Sequence, residues 1–448
     1  MIVIDELLFH RHRFLNTSPI LSLVMSDPPH DPLPSRGTEG SWIARKLQVV
    51  HSLQRDTKLV IIATSMVGFN SGLLQIIQQI YLSLLGLDVA SIAFIIAVTQ
   101  IASALRTVLY SMLADRYGRK RVLILVYLMG AVHFLVYFLS TDFVWFVVVA
   151  LVAGGPGTFG YGYVIERVLL ADKSTDEMRT TTFSILSFTT AIFSTVGNSL
   201  SGLSESIQRL YGLDLVSSTK LLFVFGVVVS FIAVFIIAQL TEEERETVVA
   251  SKEHYLPQKS RGLILRFATA SLIMGVGGGI FFSLAPIWFY RTFNMKISDV
   301  GFLIGASKLV ETFTYLLAPL IASKVGLVKA YFLTRVGGTM AMFLLPLMPN
   351  PLLAAILFSV RSSILHLSLP MKSSYMLAVL SPEERASASS LVNLPASISR
   401  ASSTTLGGYL MENVSLSLPV YVGATLFLVE ASFYYASFRK IKPPEEKL

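Results

Sequence analysis

The stretch Ser111-Met112-Leu113-Ala114-Asp115-Arg116-Tyr117-Gly118-Arg119-Lys120-Arg121 is a short basic loop between two long apolar runs, at residues 90–113 and 121–140. Gly118 permits a tight turn between two helices. Asp115 could accept hydrogen bonds from the N-terminus of another helix, where a negative charge is stabilised by about 0.3–1 kcal/mol. The basic residues are typical of a loop on the cytoplasmic side of a membrane. The stretch therefore predicts a turn between two antiparallel membrane helices.

The composition of the whole chain excludes a soluble globular protein. Of its 448 residues, 53% are hydrophobic and 14% are charged, whereas about 25% are charged in an average soluble protein. At about 20 apolar residues per crossing, the chain has room for a dozen transmembrane helices and little else, which leaves no space for a large enzyme domain. The absence of cysteine excludes disulfides, thiolate metal sites and cysteine nucleophiles. We therefore expect no enzyme activity, no cofactor and no metal site.

Twelve apolar runs predict twelve transmembrane helices, here called spans 1 to 12, and hence an all-α membrane protein. Most connections between them are a few residues long and carry turn signals, so consecutive spans should be antiparallel neighbours. The runs lie at residues 57–85, 90–113, 121–140, 143–168, 180–203, 219–240, 263–290, 299–322, 329–348, 351–377, 386–410 and 417–438.

The orientation in the membrane follows from the Lys and Arg residues in alternate loops. One set of loops, which includes the loop after span 2, holds the great majority of them. The other set holds only four, Arg209, Lys220, Arg291 and Lys296. This asymmetry predicts a multi-pass protein of the cell membrane with both termini in the cytoplasm. It also explains the net charge of +8 without a nucleic-acid partner.

The regions outside the spans define the domain boundaries. Residues 1–54 are predicted to be a cytoplasmic, mostly disordered tail, because residues 26–34 are too rich in proline to pack. Residues 42–53 either lie along the membrane surface as an amphipathic helix or form a plain linker, and both Met1 and Met25 remain open as the start. The remaining boundaries place a first six-helix bundle at 55–240, a cytoplasmic linker at 241–262, a second bundle at 263–440 and a tail at 441–448.

The second half of the chain resembles the first. Residues 114–121 align with 322–329 at an offset of 208, and Gly202 aligns with Gly408 at an offset of 206. Two duplicated sets of six spans are a transporter architecture, in which a site forms between halves that move against each other.

The quoted stretch resembles the signature of the major facilitator superfamily between spans 2 and 3, G-x-L-a-D-R-x-G-R-K-R, with Ser111 in place of the leading Gly. Together with the twelve spans and the duplicated halves, the resemblance covers residues 55–440. It implies the major facilitator fold, with twelve helices in two duplicated six-helix bundles. It also implies a secondary active transporter that works by alternating access.

The resemblance further implies a gate at this loop. There Asp115 would face the start of span 11 and Arg119 would pair with Asp172 at the end of span 4, while Arg116 and Gly118 complete the motif. The corresponding positions of the second half are neutral, at Ser323, Leu327 and Val379. Joint absence is expected if the three charges act as a unit. The alternative is that the basic loop only determines topology.

Inserting an ionisable side chain near the bilayer centre costs about 2.5–3.5 kcal/mol of free energy. Lys308 and Glu311 of span 8 and Arg361 of span 10 reach this depth. Lys308 and Glu311 could neutralise each other on one helix face or take part in transport, with Glu311 as the only midplane acid and therefore the expected carrier of a coupling proton. Arg361 either contacts substrate or pairs with Glu311 across the spans. Arg106 of span 2 could snorkel to the interface.

The resemblance implies that spans 1, 4, 7 and 10 line a central cavity. The substrate-binding residues expected there, in addition to Arg361, are polar side chains on these spans: Gln75, Gln78, Gln79, Tyr161, Tyr163, Ser362 and His366. The three glutamines are expected to share one face of span 1. Interhelical hydrogen bonding is an alternative role for them.

These features predict a monomeric, proton-coupled transporter of a small solute. The net positive charge of Lys308, Glu311 and Arg361 favours an anionic or zwitterionic solute. Residues 197–202 only partly match a proton-antiporter motif, since Asn198 and Ser201 replace a Pro and a Gly, and close helix packing explains these small residues better. A multidrug/proton antiporter and a non-transporting membrane sensor remain alternatives, and a channel is a third.

Overall fold

The computed structural model describes residues 53–154, 163–172, 176–241, 260–314, 318–380 and 385–441, and the elements in these ranges are helices. The predicted N-terminal tail up to residue 52, most of the linker and the residues after 441 lie outside them. We call residues 53–241 the N-terminal segment and residues 260–441 the C-terminal segment.

The N-terminal segment contains eight α-helices within the described ranges. They are α1 (Arg55–Leu84), α2 (Val89–Tyr117), α3 (Arg119–Leu139), α4 (Phe143–Val152), α5 (Tyr163–Asp172), α6 (Asp176–Leu200), α7 (Leu203–Tyr211) and α8 (Leu215–Ala238).

The C-terminal segment contains eight further α-helices and two short 3₁₀ turns within the described ranges. They are α9 (Arg261–Phe281), a 3₁₀ turn (Phe282–Leu284), α10 (Ala285–Phe293), α11 (Ile297–Thr314), α12 (Ala318–Val325), α13 (Leu327–Leu344), a 3₁₀ turn (Leu345–Leu347), α14 (Pro351–Val379), α15 (Arg385–Asn413) and α16 (Leu418–Phe438).

Nine helical stretches within the described part of the chain are long and apolar enough to cross a membrane, and they fall on predicted spans 1, 2, 3, 5, 6, 7, 9, 10 and 12. Spans 4, 8 and 11 differ for local reasons. Span 4 begins with α4, whose ten residues cover only about half of the hydrocarbon thickness. Helix α11 carries Asp299, Lys308 and Glu311, and α15 is rich in Ser and Thr.

Two glycines with positive φ turn the chain directly into a helix. Gly118 has φ +91° before α3, and Gly326 has φ +79° before α13. A residue with a side chain would be strained at both positions. The sharp turn predicted at Gly118 is therefore present, and a second one lies 208 residues later.

Polar N-caps start several of the helices that follow short loops. The carboxylate of Asp88 accepts a hydrogen bond from the Ser91 backbone N–H at the start of α2, and that of Asp214 accepts one from Ser217 at the start of α8. These hydrogen bonds lower the pKa of both aspartates below the usual value. The caps fix where α2 and α8 begin.

The two segments meet mainly along two helix pairs, α2 with α15 and α6 with α11, and α1 and α7 add smaller contacts. A Cβ atom at Gly202 would lie 2.5 Å from the Ser298 Cβ atom, and one at Gly408 would collide with Ala93. A Cβ atom at Gly197 would collide with the backbone oxygen of Phe69 in α1. The packing interpretation of the small residues in span 5 is confirmed, because these backbones approach too closely for any side chain.

Candidate functional site

The central polar contact between the segments is made by Lys308 of α11. Its ammonium lies 2.6 Å from the Gln75 side-chain oxygen of α1 and 3.3 Å from the Ser194 hydroxyl of α6. Both partners belong to the N-terminal segment. The Lys308 ammonium of the C-terminal segment is thus bound by hydrogen-bonding groups of the N-terminal segment. These hydrogen bonds have to change if the two segments move apart.

The carboxylate of Glu311 lies one helical turn beyond Lys308 and is directed toward α14. Its Oε2 atom is 3.3 Å from Nδ1 of His366, and the Ser362 hydroxyl is also within hydrogen-bonding reach of this carboxylate. The side chains of His366 and Glu311 are 40% and 15% exposed. The pair brings together two groups that can exchange a proton at an accessible position.

Arg361 is buried one residue before Ser362. Its guanidinium carbon lies 3.3 Å from the ring centroid of Phe282, and Nη2 lies 3.6 Å from the sulfur of Met342. Among the described residues, its Nε atom has no hydrogen-bond partner, and no salt bridge to Glu311 is formed. The guanidinium is held by cation–π and sulfur contacts, and its charge is not neutralised by direct ion pairing within the described part of the chain.

The helix break at Phe282–Leu284 positions the ring that covers Arg361. The break is held from the N-terminal segment, since Gln79 of α1 donates to the Ser283 carbonyl at 3.0 Å and Gln100 of α2 donates to the Ser283 hydroxyl at 3.2 Å. A movement of the N-terminal segment would therefore be transmitted to Phe282 and to the guanidinium beneath it.

The three glutamines of α1 do not share one face. Gln75 and Gln79 contact the C-terminal segment, whereas Gln78 donates to the Tyr137 hydroxyl of α3 at 2.7 Å. Successive residues of a helix point about 100° apart, so the side chain of Gln78 points away from the C-terminal segment that Gln79 contacts. Gln78 forms an interhelical hydrogen bond within the N-terminal segment, which was the alternative role for these residues.

The predicted gate at the loop after α2 is described only in part. Gly118 makes the turn, and Arg116 is exposed with its guanidinium 5.4 Å from the Tyr117 ring centroid. Arg119 begins α3 and has polar interactions of its own. Asp115 lies near the end of α2 and Asp172 at the end of α5. The side chains of Asp115 and Asp172 lie outside the described structure, so their pairing stays a prediction.

The side chains of the two tyrosines of predicted span 4, Tyr161 and Tyr163, are likewise not described by the structure. Tyr161 falls outside the described residues. Tyr163 begins α5, and its side chain lies outside the described structure as well. Their place in the cavity remains an expectation.

The structure assigns the Lys of the basic loop a capping contact. Lys120 donates to the Leu240 carbonyl at 2.7 Å, and Arg55 donates to the Gln239 carbonyl at 3.3 Å. Both carbonyls lie at the C-terminal end of α8, where a positive charge is favourable. Part of the loop's charge therefore stabilises a neighbouring helix terminus.

The prediction that Glu311 is the only acid near the bilayer midplane is wrong, because Glu430 is a second one. Glu430 lies in the middle of α16, and its Oε2 atom is 3.2 Å from Nε of Arg335 in α13. The Tyr331 hydroxyl donates to the other carboxylate oxygen at 2.5 Å. Both Arg335 and Glu430 are buried. The sequence carried a signal for this pair, because each residue interrupts an apolar run of a predicted span.

Arg106 does not snorkel to the interface. It is buried, and it donates to the Ala150 carbonyl at 3.2 Å and to the Leu151 carbonyl. These groups belong to the last turn of α4, and Gly154 follows with a left-handed backbone. A helix that ends within the membrane leaves carbonyl groups without intrahelical partners, and Arg106 satisfies two of them.

Comparisons with known proteins agree with this architecture. The model of the family described as the Major Facilitator Superfamily matches residues 60–372. The crystal structure of a mutant of the nucleoside transporter NupG matches with a TM-score of 0.71 at 16% identity, over 86% of this chain and 100% of that one. A bacterial homologue of the human lysosomal transporter Spinster, in an inward-facing and occupied conformation, matches with a TM-score of 0.70 at 13% identity, over 89% and 98%. No curated protein sequence matches the chain significantly.

Proposed function

This chain belongs to the major facilitator superfamily and is a membrane transporter, and on that basis we propose that it moves a small anionic or zwitterionic solute by proton-coupled alternating access. The observation that carries the proposal is the polar site between the segments, where Lys308 and Gln75 lie 2.6 Å apart. A site built from both segments changes when they rock against each other, as alternating access requires.

The proposed architecture has twelve spans in two duplicated bundles, with both termini in the cytoplasm. Support comes from pairs of positions about 207 residues apart that have the same structural role. Gly118 and Gly326, for example, both have a positive φ and both make the turn before a helix. The basic loops support the orientation. In this orientation, the end of the bundle with Gly118 is the inner end, and the end with the α1–α2 turn at Gly86 is the outer end.

Glu311 is the proposed proton carrier, and Glu430 is not. Glu430 is fully buried, and its two oxygens contact Arg335 and Tyr331 of its own segment, so its charge is compensated within that segment. Glu311 is partly exposed and is paired with His366, a side chain that is charged only when protonated. A proton can reach and leave this pair without breaking a buried ion pair.

The proposed solute class follows from Arg361 and Lys308. Burying an unpaired guanidinium costs several kcal/mol, and an anionic group of the solute would offset that cost. Phe282 covers the guanidinium, so solute access requires this ring to move. The polar groups of Gln75, Ser362 and His366 would bind the remaining parts of the solute.

The test is transport in proteoliposomes under an imposed proton gradient. A panel of small carboxylates and amino acids is first screened by thermal stabilisation in detergent, and the compounds that bind are assayed for uptake. We expect saturable accumulation that a protonophore abolishes. Glu311→Gln should lose accumulation but keep solute exchange, whereas Asp299→Asn, an exposed acid on the same helix, should behave as wild type.

Four outcomes would contradict the proposal. Binding without flux of any compound would indicate a membrane sensor, and flux that does not saturate would indicate a channel. Accumulation that Glu311→Gln leaves intact would exclude Glu311 as the proton carrier. Preference for lipophilic cations over carboxylates would favour the multidrug antiporter instead.

A further inference from the structure

Glu205 of the N-terminal segment binds the first turn of a helix in the C-terminal segment. Its Oε1 atom accepts a hydrogen bond from the Ile297 backbone N–H at 2.7 Å, and its Oε2 atom accepts one from the Ser298 hydroxyl at 2.8 Å. Ile297 is the first residue of α11. The carboxylate therefore caps α11 from the other segment, in the place that an N-cap side chain of the same chain stretch normally takes.

Glu412 of the C-terminal segment makes the reciprocal contact. Its Oε2 atom accepts a hydrogen bond from the Val89 backbone N–H at 2.9 Å, and Val89 is the first residue of α2. Arg291 donates to the same oxygen at 3.0 Å and to the Ser83 hydroxyl at 3.4 Å. This carboxylate caps a helix of the N-terminal segment and is held there by an arginine of its own segment.

The two contacts correspond to each other in the sequence. Glu412 lies 207 residues after Glu205, and the helix start at Ile297 lies 208 residues after the one at Val89. A closely packed glycine precedes each acid, Gly202 against Ser298 and Gly408 against Ala93. Each side of the interface thus combines a close glycine contact with a carboxylate on the first turn of the opposite helix.

The chemistry of these contacts makes them sensitive to separation of the segments. Hydrogen bonds from backbone N–H groups to a carboxylate are charge-assisted and stronger than neutral ones, and the positive end of the helix dipole adds to the attraction. Neither carboxylate can stay on its helix if the two segments move apart at this end. Water would then have to bind the N–H groups of Val89 and Ile297, both of which are buried here.

We propose that Glu205 and Glu412 form a pair of outer latches that hold the outer end of the transporter closed, and that both release when the outer end opens. The inference rests on the proposed alternating access and orientation. It assigns the closing force at this end to helix capping between the segments. Because each latch belongs to one segment and acts on the other, both have to be released for the segments to separate.

The experiment uses the absence of native cysteine in the chain. Cysteines are introduced at Leu210 and Val414, two exposed positions at the same end on opposite segments, and spin labels on them report the distance across the outer end by double electron–electron resonance. The distances are measured for the labelled parent, for Glu205→Gln, for Glu412→Gln and for the double variant. Asp214→Asn is the matched control, since Asp214 caps a helix of its own segment.

The closed distance should dominate in the parent and in Asp214→Asn. Each single Gln variant should raise the ratio of open to closed molecules by about fivefold, the size expected for the loss of one charge at a helix N-terminus, and the double variant should raise it further. Ser298→Ala removes the hydrogen bond from the Ser298 hydroxyl to Glu205 and has to shift the distances in the same direction, by less than Glu205→Gln because the Ile297 contact remains. This variant also serves if a Glu variant does not fold.

Unchanged distances in both Gln variants and in Ser298→Ala would overturn the latches. The readout needs no solute, so it separates the two proposals. A shift in distance together with a failure to transport any solute would leave the latches standing and reject the proposed function. Transport of a solute together with unchanged distances would reject the latches and leave the proposed function standing.

Discussion

The ammonium of Lys308 lies 2.6 Å from the side-chain oxygen of Gln75, so a half-buried cation of α11 is bound by an uncharged residue of α1. Its neighbour on the same helix face, Glu311, is directed to His366 instead. The two residues that the sequence places three apart therefore have different partners on different helices. This arrangement makes their separate roles testable.

Gln75→Leu should destabilise the protein and slow transport. The substitution removes the 2.6 Å hydrogen bond between the Lys308 ammonium and the Gln75 side-chain oxygen, and the loss of a hydrogen bond to a charged group costs about 1.5–3 kcal/mol. The melting temperature in detergent and the initial uptake rate measure the two effects. Gln239→Leu is the control, because Gln239 is half-buried and its side chain donates to the Phe235 carbonyl of its own helix end. Equal melting temperatures of both variants would argue against the contact.

Arg361→Lys should weaken solute binding and Arg361→Ala should abolish it, with the protein still folded. A lysine keeps the charge but loses the planar group that stacks on Phe282. Isothermal titration with the best compound of the panel gives the affinities. Asp299→Ala, at an exposed acid of α11, is the control. Solute affinity that Arg361→Ala leaves unchanged would remove Arg361 from the binding site.

Removing one partner of the Arg335–Glu430 pair should be more damaging than removing both. Either Arg335→Met or Glu430→Gln leaves a buried charge uncompensated, which costs about 3–5 kcal/mol. The double variant should recover most of this loss, since no buried charge then remains without its partner. Thermal unfolding in detergent measures the three variants. Additive losses in the double variant would contradict a direct pair.

Asp115→Asn should keep expression and slow transport. The proposed contact with the start of span 11 exists in only one of the two access states, so a weaker contact changes the balance between them. Uptake at matched protein level is the measurement, and Asp142→Asn, an N-cap in a different loop, is the control. A wild-type rate in Asp115→Asn would remove the residue from the gate.

Asp88 should add stability that depends on pH. Hydrogen bonds from Ser91 lower the pKa of its carboxyl, so the stabilisation is present above the pKa of the unfolded chain, about 3.9, and is lost as pH falls through the lower folded value. Asp88→Asn should reduce the pH dependence of the melting temperature below about pH 4. The effect should be small because Asp88 is exposed. A steeper dependence in the variant would contradict the sign.

The family and the local turns could be predicted from the sequence, because they depend on residues close together in the chain. The motif at Asp115–Arg121 predicted the major facilitator superfamily, which the match over residues 60–372 confirms. Gly118 predicted a turn, and the turn has the positive φ that only glycine adopts easily. Apolar periodicity and length identified the helices that are long enough to span a membrane.

The partner of each polar group could not be predicted, because it depends on the rotation of one helix against another. The sequence placed Gln75, Gln78 and Gln79 together, and packing sent Gln78 to Tyr137. Arg361 could equally have faced Glu311 or a solute, and only the helix break at Phe282 decided what covers its guanidinium.

The same distinction holds for the acids at the outer end. Glu205 and Glu412 look like ordinary loop residues in the sequence, although the repeat offset relates them. Their function depends on the close approach of α7 to α11 and of α15 to α2. The sequence by itself determined that the chain is a membrane-embedded helical protein, since transfer of apolar residues into lipid depends on composition and length. The tertiary structure decided which charges are neutralised, capped or left free, since hydrogen bonds act over about 3 Å and join residues that lie up to hundreds of positions apart.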